Sequence, residues 1–206
     1  MKYPIFASLI LLSLWLMFAI HRSRNGAARR FQEFLDNEVR ANNTRKKPLD
    51  DLHYITIPLE TLPVTVLKED PEIAECLGIM HDLSEKKIVN LTGISNTDLK
   101  LRYGAPNLDY LARCDECYTL LARTMDKWAH ILYSKGFEEE AKTVLEFAIS
   151  TGTDVRGSYE LLCGIYASGG EQGKIEALIP TAEALNSLTK NGILSMLEKY
   201  SAPPEG

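Results

Sequence analysis

Ala129-His-Ile-Leu-Tyr-Ser-Lys-Gly136 is answered one period later by Cys163-Gly-Ile-Tyr-Ala-Ser-Gly-Gly170. Gly136 and Gly170 stand 34 residues apart, and so do Ala148 and Ala182. That spacing is a known period of stacked helix–turn–helix units. Tyr118, Leu121, Met125, Trp128, Ala129 and Leu132 recur at three- and four-residue steps, an apolar stripe along one helical face. Gly136 closes that helix, because glycine takes the left-handed conformation of a helix C-terminus at little cost. Phe137 and the run Glu138-Glu139-Glu140 restart the chain, with carboxylates in a first turn where the peptide dipoles favour them. Ala141, Val144, Leu145, Ala148 and Ile149 form the next stripe, and Gly152 ends it. The cycle then recurs with Thr153 or Asp154 as cap, Tyr159, Leu162, Cys163 and Tyr166 as stripe, and Gly169-Gly170 as stop. A further stripe follows in Ile175, Leu178, Ile179, Ala182 and Leu185, where Pro180 should kink the helix or mark its first turns. The stretch from Met125 to Leu185 therefore predicts two helical hairpins stacked side by side. Small residues at Ala129, Ala141, Ala148, Cys163 and Ala182 let neighbouring helices approach closely.

These residues resemble the tetratricopeptide-type repeat, whose pattern runs from a large residue through a Leu-Gly pair and an aromatic to a later Ala, an aromatic and a Pro. The first unit supplies Met125, Trp128-Ala129, Leu132, Ala141 and Leu145; the second supplies Tyr159, Leu162-Cys163, Tyr166, Ile175 and Ile179. Thr153 stands where the closing Pro belongs, and Ile175 replaces the small Ala. The resemblance covers under a third of the chain. It implies a concave groove lined by one face of each first helix. Carried over by position, that lining is Arg123, Asp126, Lys127, His130 and Tyr133, with Glu160 from the next unit. A solvated polar face is the alternative for these same residues.

On either side of the repeat the pattern stays helical. Asp70-Pro71-Glu72 is a cap followed by proline in a first turn, and Ile73, Cys76, Leu77 and Met80 form that helix's buried face. Ser84 is expected to cap a short helix through Leu91 that Gly93 ends. Ser95-Asn96-Thr97-Asp98 resembles a capping box opening a helix to Tyr103, closed by Gly104. Pro106 or Asn107 starts a long helix to Lys135, and Ile193, Leu194 and Leu197 suggest a last, capping helix. Residues 70–200 thus predict one helical domain, with 201–206 a disordered tail. Residues 48–69 read differently: Ile55, Ile57 and Leu59 alternate, Pro58 and Pro63 remove backbone donors, and no partner strand is evident elsewhere. An extended strap across the helical body is expected there. Since tetratricopeptide-like grooves accept extended peptides, the resemblance also allows the strap to occupy the chain's own groove.

The N-terminus has another character. Tyr3 to Ile20 is eighteen residues without a charge, which at about 1.5 Å per residue reaches about 27 Å, enough for a thin hydrocarbon core. A cleavable signal peptide is the competing reading, but Ala19-Ile20-His21-Arg22 offers no small-x-small cleavage site. Residues 1–20 are expected to be an uncleaved transmembrane anchor. Arg22, Arg24, Arg29 and Arg30 follow the span while Lys2 precedes it, which places the C-terminal domain in the cytoplasm. Residues 21–47 form a basic juxtamembrane stalk in which Phe31, Phe34, Leu35 and Val39 share a helical stripe. A solvated basic linker is the other reading.

The net charge of −5 conceals a segregation. Residues 21–47 hold eight Lys/Arg against three Asp/Glu (+5), and residues 48–206 hold fourteen against twenty-five (−11); Lys2 supplies the remaining +1. A basic collar suits an anionic leaflet. An acidic body argues against nucleic acid, whose phosphates need the opposite sign.

The chain lacks a Gly-rich phosphate loop, a Gly-x-Ser-x-Gly elbow and a His-Glu-x-x-His zinc motif. Neither a catalytic residue nor a cofactor or metal is expected. Cys114-Asp115-Glu116-Cys117 is the one dithiol spacing, but it falls mid-helix, where Asp115 and Glu116 disfavour a thiolate. Asn42-Asn43-Thr44 and Asn90-Leu91-Thr92 match glycosylation sequons, which a cytoplasmic body would not expose to the transferase. The expected class is all-α, and the expected role is a membrane-tethered protein–protein interaction module that binds a protein or peptide. The alternative is a thiol redox or metal-binding protein using Cys114 and Cys117.

Overall fold

Two turns 34 residues apart are built from the same hydrogen bonds. The Phe137 amide donates to the Leu132 carbonyl at 3.0 Å, and the Glu171 amide to the Tyr166 carbonyl at 2.8 Å. Gly136 donates to Tyr133 at 3.0 Å and Gly170 to Ala167 at 3.2 Å. Ser134 Oγ donates to the Ile131 carbonyl at 2.8 Å, as Ser168 Oγ does to Ile165 at 2.9 Å. Gly136 and Gly170 carry φ of 86° and 69°, the left-handed region that ends a helix and that glycine enters without strain. The period legible in side chains is therefore present in backbone geometry as well.

The computed structural model describes residues 3–201, without the side chains of residues 3–7, 9, 19 and 21–28. Among the described residues the chain is all-α, with helices α1 (Tyr3–Asn42), α2 (Pro71–Ser84), α3 (Asn96–Tyr103), α4 (Leu108–Ser134), α5 (Glu138–Ser150), α6 (Arg156–Ser168), α7 (Gln172–Glu183) and α8 (Lys190–Ser201). A 3-10 turn covers Ala105–Asn107. Among the described residues no helix is long and apolar enough to cross a membrane. Residues 1–2 of the predicted anchor, several of its side chains, and all of the predicted tail beyond Ser201 lie outside the described residues.

The chain divides into two compact units. One combines Met1–Lys47 with Ser95–Leu108. In it the C-terminal end of α1 packs on α3. Lys100 Nζ donates to Asn42 Oδ1 at 2.8 Å and lies 3.6 Å from Glu38, whose carboxylate also accepts from Thr97. Asn107 donates to the Lys47 and Tyr103 carbonyls at 2.9 and 2.8 Å. Gly104, with φ of 92°, lies so near the Arg45 carbonyl that a Cβ there would sit 2.1 Å from its oxygen. Phe31, Phe34, Leu35 and Val39 lie on α1 and are exposed.

The second unit, Pro48–Ile94 with Asp109–Gly206, holds both of the turns at Gly136 and Gly170. Positions one period apart are buried alike: Met125 and Tyr159, Trp128 and Leu162, Ala129 and Cys163, Ala141 and Ile175, Ala148 and Ala182. α5 packs on α6, α6 on α7 and α8, and α7 on α8, whose buried Ile193 and Leu197 close that end of the core. At the other end α2 contributes Ile73, Cys76 and Met80, and the strap contributes Ile57 and Leu62.

Three local expectations are corrected. Ser84 ends α2 and caps no further helix. The amide of Ile55 donates to the Ile88 carbonyl at 2.9 Å in an isolated antiparallel bridge. Val89 donates to Cys114 O at 3.4 Å and Leu91 to Asp115 Oδ1 at 2.9 Å. Ile88, Val89 and Leu91 thus find backbone partners at a distance in sequence, and the strap does have a one-residue partner. The residue before α6 is Val155, with no side-chain cap; Thr153 Oγ1 accepts from the Val155 amide at 3.2 Å instead. Of the two alternatives for Pro180 the interior position is the one found, since it sits beyond the first turns of α7.

Candidate functional site

α6 begins against α4, and a glycine sets how closely. A Cβ on Gly157 would lie 3.1 Å from Asp126 Oδ1 and 3.5 Å from His130 Nε2, so the missing side chain lets the two helices meet there. The buried Ser158 donates its hydroxyl to Asp126 Oδ1 at 2.8 Å. His130 Nε2 stands 3.7 Å from the same oxygen. Asp126 is thus held from both sides, one turn of α4 below His130.

Beyond this contact the helices part around a hollow of about 290 Å³, lined by His130, Gly157, Glu160, Leu161, Gly164 and Tyr200. Its α6 wall follows the i, i+3, i+4, i+7 pattern of one helical face. Gly164 faces open space, with no atom within 4 Å of a Cβ built there. Glu160 is half-exposed and only loosely tied to Arg156, 3.9 Å away. One polar face, an apolar Leu161 and an aromatic edge from α8 make a surface suited to holding a chain segment. The chemistry this surface offers is hydrogen bonding and ion pairing.

Of the six residues expected to line a groove, the structure brings Asp126, His130 and Glu160 together. Lys127 turns the other way: its Nζ pairs with Glu75 of α2 at 2.6 Å, a hydrogen bond that holds the ammonium above the usual lysine range. Arg123 and Tyr133 are exposed on α4 but outside the hollow. The residues not foreseen are Gly157, Leu161, Gly164 and Tyr200. The glycines left a legible signal, being two turns apart on the same helical face as Glu160. Tyr200 left none, since the fold of α8 alone carries it there.

No family model, curated protein or solved structure matches the chain.

All four cysteines are free thiols. Burial pushes the Cys114 thiol up, against what a nucleophilic or metal-binding sulfur needs. Cys163 is pushed up to about 12 by the same cause. Among the described residues no group of three His, Cys, Asp or Glu side chains is placed to hold a metal ion. Cys117, half-buried, is the accessible member of the pair.

Proposed function

We propose that this chain is a membrane-tethered protein–protein interaction module that binds an extended segment of a partner in the hollow between α4, α6 and α8, on a scaffold of two degenerate tetratricopeptide-type units. The observation that carries the reading is the α6 face Gly157, Glu160, Leu161 and Gly164, which keeps an open, polar-rimmed hollow against His130 inside a packed helical stack. The 34-residue recurrence of turn geometry and burial supports the repeat. The tether rests on the uncharged stretch Tyr3–Ile20 and on large apolar side chains such as Leu11, Trp15 and Met17 left 67%, 64% and 69% exposed on α1. The arginines after the stretch favour a cytoplasmic C-terminal domain. Confinement to a membrane surface raises the effective concentration of partners held there, so a shallow hollow suffices for useful occupancy.

The test is affinity capture with the full-length chain from solubilised membranes, compared between wild type, Gly164→Trp and Glu160→Lys. Gly164→Trp fills the hollow from a position that touches nothing. Proteins retained by wild type and lost from both variants are expected, with thermal melting of the variants unchanged. Identical retention by all three would overturn the proposal.

A further inference from the structure

A second concavity lies in the same compact unit, between segment 85–91 and the N-terminal half of α4. It measures about 410 Å³ and is lined by Lys86, Lys87, Tyr110, Arg113, Cys114, Glu116 and Cys117. That volume falls in the range of about 300–1,000 Å³ usual for small-molecule sites. Three cations and one carboxylate give the lining a net charge of +2.

The surroundings make this concentration of charge unusual. The unit carries twelve Lys and Arg against twenty-four Asp and Glu, a net −12, yet three of its twelve cations converge here. Six of the other nine are paired with carboxylates: Lys68, Lys127, Lys135, Lys142, Arg156 and Lys174. Lys86 and Arg113 enter no ion pair among the described residues. Lys87 lies over the ring of Tyr54, 5.2 Å from its centroid.

The cleft is also held in shape. The Ile55–Ile88 bridge fixes the strap beside the two lysines, while Val89 and Leu91 clip the same segment to α4 through Cys114 O and Asp115 Oδ1. Tyr54 and Tyr110 place their hydroxyls 3.4 Å apart, joining strap to α4 at the cleft's edge. These contacts fix the backbone that carries the two lysines beside α4, which lowers the ordering cost of binding.

We infer that this cleft binds a phosphate monoester carried on a ring or other apolar body. Three converging cations match a doubly charged group better than a single carboxylate, and a guanidinium beside two ammonium groups is a common way of holding phosphate oxygens. The Tyr110 ring, the cysteine sulfurs and the lysine stems offer apolar contact for the rest of the molecule. Either a soluble phosphate monoester or a phosphorylated lipid headgroup supplies this chemistry. The site is separate from the hollow at α6, so either assignment can fail while the other stands.

The experiment titrates the full-length chain, reconstituted in phosphatidylcholine nanodiscs, with phenyl phosphate, with phenol, and with a water-soluble short-chain phosphatidylinositol monophosphate. Saturable binding of a phosphate compound, weaker at high salt and absent for phenol, is expected. The tighter of the two phosphate probes identifies the source. Arg113→Gln is expected to weaken binding roughly tenfold or more, as loss of a charge-assisted contact does, and Lys86→Gln with Lys87→Gln to do the same. All three residues are exposed, so melting temperature serves as the folding control. Bound ligand should also slow alkylation of Cys117 by iodoacetamide. Absence of saturable binding, equal binding of phenol, or undiminished binding by the variants overturns the inference.

Discussion

Asp70 joins two elements through one carboxylate. It caps α2 by accepting from the amides of Glu72 and Ile73 at 3.0 and 3.3 Å, and its other oxygen takes Lys135 Nζ at 2.7 Å. The hydrogen bond from Lys135, helped by the two amides, holds the carboxyl below its ordinary range. A depressed folded value means stability that is present above the unfolded value and lost as pH falls through the folded one. Asp70→Asn keeps a capping oxygen but not the charge. Wild type should therefore melt above Asp70→Asn at pH 7, and the gap should close below about pH 4, where free carboxylates protonate. Asp70→Ala, which loses the cap too, should melt lower still, by roughly 2–6 °C against wild type at pH 7. A gap between wild type and Asp70→Asn that is constant from neutral to acid pH would remove the charge from the account. The cap was legible in Asp70-Pro71-Glu72, but the Lys135 contact was not, because the two residues are 65 apart in sequence. The candidate groove divides the same way. Asp126, His130 and Glu160 were expected there through the tetratricopeptide-type resemblance, while Lys127 leaves for Glu75, 52 residues distant, and Tyr200 arrives from α8.

At the scale of elements, glycine has opposite meanings in the two places where it matters most. Gly136 at φ 86° terminates α4, and a side chain there would be strained by its own carbonyl. Gly164 lies inside α6 with ordinary helical torsions, and an added methyl would meet nothing. The same substitution should therefore act with opposite signs. Gly136→Ala is expected to cost about 1 kcal/mol, and Gly164→Ala to add roughly 0.5–1 kcal/mol by relieving a helix-interior glycine. Urea unfolding of the two variants decides it, and a common sign would refute the distinction. Helix ends marked by such local signals were the readable ones: Gly104, Gly136, Gly152, and Ser95 with Asp98, whose hydroxyl and carboxylate lie 2.6 Å apart. The misread segment was 85–91. Ser84 followed by Glu85 and two lysines has a helix-start composition, yet Ile88 and Val89 are buried and tied to Ile55 and Cys114. No pattern within seven residues encodes partners contributed by the strap and by the middle of α4. That segment carries the two lysines of the cleft, so local reading missed the cleft with it.

For the whole molecule the question is what the forty residues of α1 do beyond helping to hold α3. Between Tyr3 and Ile20 the chain has ten Leu, Ile and Phe residues. At about −0.3 to −0.6 kcal/mol each for insertion, they supply roughly −3 to −6 kcal/mol, while one lysine at the centre of a span costs about 2.5–3.5. Two lysines should therefore outweigh the whole stretch. Leu12 and Leu16, 59% and 52% exposed, are sites where the change disturbs no packing among the described residues. With the proposed tether, wild type sediments with membranes and resists carbonate extraction, and Leu12→Lys with Leu16→Lys moves the chain to the soluble fraction. Phe31→Lys with Val39→Lys serves as the control. Those two residues are as exposed, at 62% and 61%, but a straight helix emerging from the bilayer after Ile20 carries them roughly 15–30 Å above its surface at about 1.5 Å per residue. Lipid cannot reach them there, so the control pair should leave sedimentation unchanged. If instead both pairs released the chain alike, α1 would be lying along the membrane by its apolar face, and the tether would be an interfacial helix. Wild type in the soluble fraction would remove the tether altogether, leaving the hollow and the basic cleft to be tested as features of an untethered helical stack.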